Sequence, residues 1–223
     1  MNIQAEFPPS RDIVYPESDG QPMADNTRQF ECITTIKGGL DAVFLDAPDV
    51  FVAGDLLWYP VEGDNLIRQA PDVMVVFGRP RQHRGSYQQW LEGGIAPKVV
   101  FEVLSRGNRP AEMIRKFQFY ERYGVEEYYV YDPEHELLDG WLRKEGKLVE
   151  IPELDGWTSP ALKVSFKFSD GKLQIFGPDG RPFASYVELV QQREKERQEK
   201  EKERQRAERL AEQLRALGVK PEA

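Results

Sequence analysis

Val99-Val100-Phe101-Glu102-Val103-Leu104 reads as a strand with a fault in it: five apolar residues and one carboxylate. Runs of this kind, unlike alternating ones, suit a strand covered on both faces. Val73-Met74-Val75-Val76-Phe77 has the same character, and both are expected as central strands. Downstream, Pro110 opens a helix to about Tyr123 with Gly124 past its end, the usual asymmetry of helix punctuation. Glu126–Asp132 is a further strand, stopped by Pro133. Two hairpins follow, Leu138–Arg143 with Lys147–Ile151 around Glu145-Gly146, and Leu162–Phe168 with Lys172–Phe176 around Asp170-Gly171. Upstream, Asp49–Val61 is extended, and Phe30, Ile33, Ile36, Leu40, Val43 and Phe44 recur at helical spacing over Asn26–Phe44, a helix weakened by Gly38-Gly39. The order of elements predicts an α/β fold, a sheet flanked by helices with added hairpins.

The chain has 223 residues, 40% of them hydrophobic, with 12 Phe, 9 Tyr and 4 Trp, enough apolar area for a packed core. Three segments are expected: an irregular arm over 1–25, a folded domain over 26–182, and a charged helix over 183–223. Arg193–Arg209 carries eight cations and six acids, so it forms helix without an apolar face. Ala207, Leu210, Leu214 and Leu217 fall at coiled-coil spacing but fill less than the three or four heptads that would be convincing. The helix reads either as solvated or as a weak seam for a homo-oligomer.

The net charge is −8. Residues 183–223 hold 10 Lys and Arg against 9 Asp and Glu, which leaves 20 basic and 29 acidic residues in 1–182. A polyanion would therefore have to meet a local basic patch or a bound metal. No run approaches the ~18 apolar residues of a membrane span, and Met1–Ser10 lacks an apolar stretch of signal-peptide length, so a cytoplasmic protein is expected. One cysteine, Cys32, and two histidines, His83 and His135, argue against disulfide, redox-pair and zinc chemistry.

A carboxylate inside a buried strand is costly unless it is paired or holds a metal. Glu102 occupies that position, and Asp72, after Pro71, emerges at the start of the other apolar run. On the helix after Pro110, Lys116 falls within the stripe of Met113, Phe117, Tyr120 and Tyr123. It is either a buried ion-pair partner or a functional ammonium. Arg79, Arg81 and Arg84 beside Tyr87 and Trp90 combine phosphate-pairing cations with stacking rings, and read as a nucleic-acid contact loop or as a solvated one.

Taken in order, Ala70-Pro71-Asp72-Val73-Met74-Val75-Val76, then Val99 to Ser105, then Lys116 with Tyr120, then Gly124-Val125-Glu126-Glu127-Tyr128-Tyr129-Val130-Tyr131-Asp132-Pro133 resembles the Uma-two family of restriction-endonuclease-like proteins, in the PD-(D/E)XK nuclease superfamily. The resemblance spans roughly residues 15–180. It implies a restriction-endonuclease-like mixed sheet, DNA as substrate, and Mg²⁺-dependent phosphodiester hydrolysis with Mn²⁺ as a substitute ion. It casts Asp72 and Glu102 as catalytic metal ligands and the Val103 carbonyl as a third ligand. Lys116 would orient the attacking water or steady the oxyanion. Two positions depart from the pattern. Leu104 stands where a strict E-x-K motif has lysine, and Gln29 stands where many relatives have a histidine on the first helix. Asp55 is a further acid that could join the cluster. The competing reading is a catalytically weak module of the same fold that acts in assembly through its C-terminal helix. A glycoside hydrolase using the two carboxylates is a third, but a buried lysine has no part in that chemistry.

Overall fold

The computed structural model describes residues 13–216. The first half of the N-terminal arm and Leu217 of the expected seam lie outside the described residues, as does the side chain of Leu214. The chain divides into two compact units, Met1–Phe183 and Ala184–Ala223.

In the first unit, helix α1 (Thr27–Val43) is followed by strands β1 (Val50–Gly54), β2 (Trp58–Tyr59), β3 (Val73–Phe77) and β4 (Tyr87–Gln88). A short 3₁₀ turn at Gln89–Glu92 leads to β5 (Val99–Val103), helix α2 (Pro110–Arg122), β6 (Glu127–Asp132), β7 (Leu137–Lys144), β8 (Lys147–Glu150), β9 (Ser165–Ser169) and β10 (Lys172–Phe176). Six strands form one mixed sheet in the order β1-β3-β5-β6-β7-β8. Its ladders are antiparallel except for β5 with β6, which run parallel and are joined by α2. The two continuous apolar runs are central neighbours, with Val73 opposite Phe101 and Val75 opposite Val99.

Alternation along β5 divides the core in two. Val99, Phe101 and Val103 pack with Ile33, Ile36 and Leu40 of α1 on one face. Val100 packs on the other with Tyr120 of α2 and with Met74, Tyr128 and Trp58. The second hairpin, β9 with β10, makes its own two-stranded sheet, and its Phe166 and Ile175 join the α1 side of the core.

The structure corrects the Asp49–Val61 expectation, because this stretch is not one strand. It breaks at Asp55, whose φ is 49°. Asp tolerates this left-handed conformation better than most side chains, and its backbone N–H donates to the Pro71 carbonyl at 3.1 Å. The chain then turns so that β2 pairs in parallel with β4, in a segment that the sequence presents as a loop.

The second unit is helix α3 (Tyr186–Ala216). A capping box starts it: the Glu188 backbone N–H donates to the Ser185 hydroxyl at 3.3 Å, and the Glu188 carboxylate accepts the Ser185 backbone N–H at 2.8 Å. Surface pairs Glu194–Arg197 and Glu201–Arg204 run along it, and Val187, Leu189, Val190 and Leu210 are exposed. Among the described residues no helix is long and apolar enough to cross a membrane.

Candidate active site

Glu102 shares with Val100 the face of β5 that looks toward α2, and it is 2% exposed. Lys116 and Tyr120, one turn apart on α2, meet it there. Lys116 Nζ donates to Oε2 at 2.7 Å, and the Tyr120 hydroxyl donates to Oε1. Both oxygens of the buried carboxylate are thus bound by one helix face, as the i, i+4 geometry allows. Tyr120 is fixed in turn by stacking on Trp58, with ring centroids 6.4 Å apart and planes 4° from parallel. Burial pushes the Glu102 carboxyl upward despite the opposing pull of Lys116. Burial also works against the Lys116 ammonium, but the charge and hydrogen bond of Glu102, with Asp72 and Glu112 beyond, leave its pKa above the ordinary lysine value.

Asp72 enters from the neighbouring strand. It immediately precedes β3, and its Oδ2 accepts the Val103 backbone N–H at 2.6 Å. Burial, and after it the charge of Glu102, push the Asp72 carboxyl up to about 8. The other polar atom of that peptide is also engaged. The Val103 carbonyl accepts from Gln29 Nε2 at 2.8 Å, while Gln29 Oε1 accepts the Asp25 backbone N–H at 2.8 Å. Gln29 sits in the first turn of α1, where Asn26 caps the helix by accepting the Gln29 backbone N–H at 2.9 Å. The residue in place of a helix histidine therefore ties α1 to the edge of the site.

Asp19, Asp25, Asp55, Asp72, Glu112 and Lys116 are among the residues lining a cleft of about 390 Å³ at this point, and Lys116 is the one cation on its wall among the described residues. Glu102 lies behind that wall. Asp55, at the left-handed break after β1, has its carboxyl raised by burial and then by the charge of Asp19. Among the described residues no three His, Cys, Asp or Glu side chains stand close enough together to hold a metal ion as they are placed. The donor chemistry nonetheless suits a hard divalent cation: the cleft wall is dominated by carboxylate oxygens, with no thiolate or imidazole among its lining residues. Asp72 Oδ1 makes no hydrogen bond among the described residues.

The structure brings Asp72, Glu102, Val103 and Lys116 into one neighbourhood, with Gln29 and Asp55 at its rim. It does not bring the Arg79–Arg84 segment there. Arg79 and Arg84 both pair with Glu92, at 2.8 and 2.7 Å, and the Arg84 guanidinium lies 4.1 Å from the Phe51 ring centroid with its side chain 4% exposed. Tyr87 is buried, with its hydroxyl on the Ile95 carbonyl at 2.7 Å, and Trp90 packs on Tyr15 at 4.9 Å. Arg81 donates to the Phe44 and Asp41 carbonyls near the end of α1. Arg79 and Arg84 are engaged within the fold, because Glu92 on the following 3₁₀ turn reaches back to both. Tyr120 is the functional candidate that sequence reading undervalued, since at helical spacing its ring reads as core.

The fold is a mixed α/β sheet flanked by helices, with Asp72 and Lys116 on the wall of one acidic cleft and Glu102 buried behind it. Residues 29–175 match the family model of Uma2, described as "Putative restriction endonuclease", and the chain belongs to that family. Among solved structures, the chain is similar to "a putative nuclease belonging to DUF820 from Anabaena variabilis ATCC 29413", with 14% sequence identity, 61% of this chain and 73% of that chain covered, and a TM-score of 0.46. No curated protein matches.

Proposed function

We propose that the chain is a Mg²⁺-dependent endonuclease that hydrolyses DNA phosphodiester bonds at the acidic cleft. The observation that carries this reading is that Lys116 lines the cleft beside Asp72 and is bonded to the buried Glu102 at 2.7 Å. In this reading Asp72, Glu102 and the Val103 carbonyl hold the ion. A divalent ion there lowers the pKa of a water and neutralises phosphate charge. Hydrolysis forms a bond from a water oxygen to phosphorus and breaks the bond to the leaving oxygen, so negative charge accumulates on the phosphoryl oxygens. Lys116 Nζ is placed to direct the water or to steady that charge. The Val103 N–H and the Tyr120 hydroxyl hold one oxygen of each of the two carboxylates and so fix where they point.

With Arg79 and Arg84 engaged in the fold, backbone contacts to DNA fall more naturally to a second cavity of about 730 Å³, which shares Asn108 with the cleft and is lined by Arg28 and Arg106. Both arginines pair with acids at the surface, Glu136 and Glu134, and such pairs are worth little and exchange readily. We further read α3 as a segment for self-association, supported by its exposed Val187, Leu189, Val190 and Leu210. The competing reading, a non-cleaving module of the same fold, is favoured by the absence of a ready three-group metal cluster among the described residues. A plasmid-nicking assay separates the two. Cleavage with Mg²⁺ or Mn²⁺, lost with chelator and in Asp72→Asn, supports the nuclease, and no cleavage with either ion overturns it.

A further inference from the structure

A divalent ion entering the cleft meets Asp72 on its wall, but Glu102 is behind that wall with both oxygens already bonded. One of those partners is fixed and the other is not. Tyr120 is fully buried and stacked on Trp58, whereas Lys116 carries its ammonium on a flexible stem and lines the cleft. Among the described residues, Lys116 is also the one cation on a wall that carries Asp19, Asp25, Asp55, Asp72 and Glu112. Buried carboxylates need a compensating positive charge, and among the described residues this ammonium is what supplies it to Glu102.

We propose that Lys116 is an exchangeable internal cation: it holds Glu102 until a divalent ion displaces it, and the displacement turns the ammonium toward the cleft where a phosphate would lie. The inference rests on the nuclease reading for the phosphate, though the exchange itself needs only the ion. It gives Lys116 two positions, one that keeps the site folded and one that serves substrate. It also makes the lysine and the ion competitors for Glu102 Oε2. Tyr120 is the positioning residue, because its grip on Oε1 keeps Glu102 aimed while Oε2 changes partner.

Competition has a consequence opposite to that of a residue that helps hold the metal. Removing Lys116 should abolish cleavage yet tighten ion binding, since the ion no longer has to break a charge-assisted hydrogen bond. Mn²⁺ affinity is measured by titration calorimetry at pH 8 on the full chain, on Lys116→Met and on Lys116→Gln, the second retaining a polar side chain should the first fail to fold. Tightening by about tenfold or more is expected, the equivalent of one hydrogen bond to a charged group. Equal or weaker Mn²⁺ binding in a folded variant overturns the exchange. The two readings fail separately. If the unaltered chain does not cut DNA but the variants bind Mn²⁺ more tightly, the nuclease reading falls and the exchange stands. If the chain cuts but the variants bind no more tightly, the reverse holds.

Discussion

Glu102 has two donors and lies 2% exposed, so its substitution has a cost that the sequence hides. Read alone, a buried acid invites the expectation that Glu102→Gln relieves an uncompensated charge. In the structure the charge is compensated, and the amide would leave the Lys116 ammonium buried without its partner. Glu102→Gln is therefore expected to lose about 3 kcal/mol or more in metal-free denaturant unfolding, while abolishing metal-dependent nicking. Unchanged stability would show that Lys116 finds water instead. The acid in an apolar run and the lysine in a helical stripe were legible in the sequence, because each breaks a pattern. The Tyr120 hydroxyl was not, because its ring obeys one. Glu92 was equally hidden, since only the folded 3₁₀ turn brings it onto Arg84 and Arg79. Those hydrogen bonds, Arg84 first, hold the Glu92 carboxyl below its ordinary range. Its stabilising contribution is thus present above the unfolded value near 4.5 and is lost as pH falls through the lower folded value. Compared by chemical unfolding across pH, Glu92→Gln should be weaker than the natural chain by about 2 kcal/mol at pH 7, with the gap closing below the unfolded value. A gap that persists undiminished in acid would place the effect elsewhere.

Among the elements, continuous apolar runs gave away β3 and β5, and helical spacing gave away α1 and α2, because burial on both faces or on one face leaves a periodic trace in sequence. The short β2–β4 pair and the break at Asp55 left no such trace, for they depend on where a distant segment returns. The paired glycines of α1 divide in the same way. An added Cβ at Gly38 meets nothing within 4 Å, whereas one at Gly39 falls 2.2 Å from the Phe183 ring. Gly38→Ala should raise stability by roughly 0.5–1 kcal/mol through helix propensity. Gly39→Ala should lower it by about 1–3 kcal/mol, because the ring must leave its seat. Thermal melts of the two variants check the pair, and equal shifts in the same direction would refute the packing account.

At the scale of the whole molecule, the change in composition near residue 183 was plain in the sequence, as charge runs without apolar spacing cannot build a core. What a 31-residue helix of this kind does was not plain, since under two heptads of seam specify little. Cutting after Phe183 is expected to lower the oligomeric mass seen by light scattering and to leave metal-dependent nicking within about twofold, because the cleft residues belong to the other compact unit. An unchanged mass would remove α3 from the assembly.

The parallel join between β5 and β6 has a bearing on when the proposed centre is assembled. Every residue of the proposed centre lies at or before Tyr120, yet α2 is seated by later residues: Phe117 packs on Tyr128 of β6 at 6.2 Å and on Trp141 of β7 at 5.5 Å. A parallel pair cannot zip as a hairpin and must wait for its crossover helix to dock. A chain leaving the ribosome N-terminus first thus carries every residue of the proposed centre well before it has the strands that hold α2 against Glu102. The residues of the centre are all made first, and they are set in place only when β6 and β7 arrive.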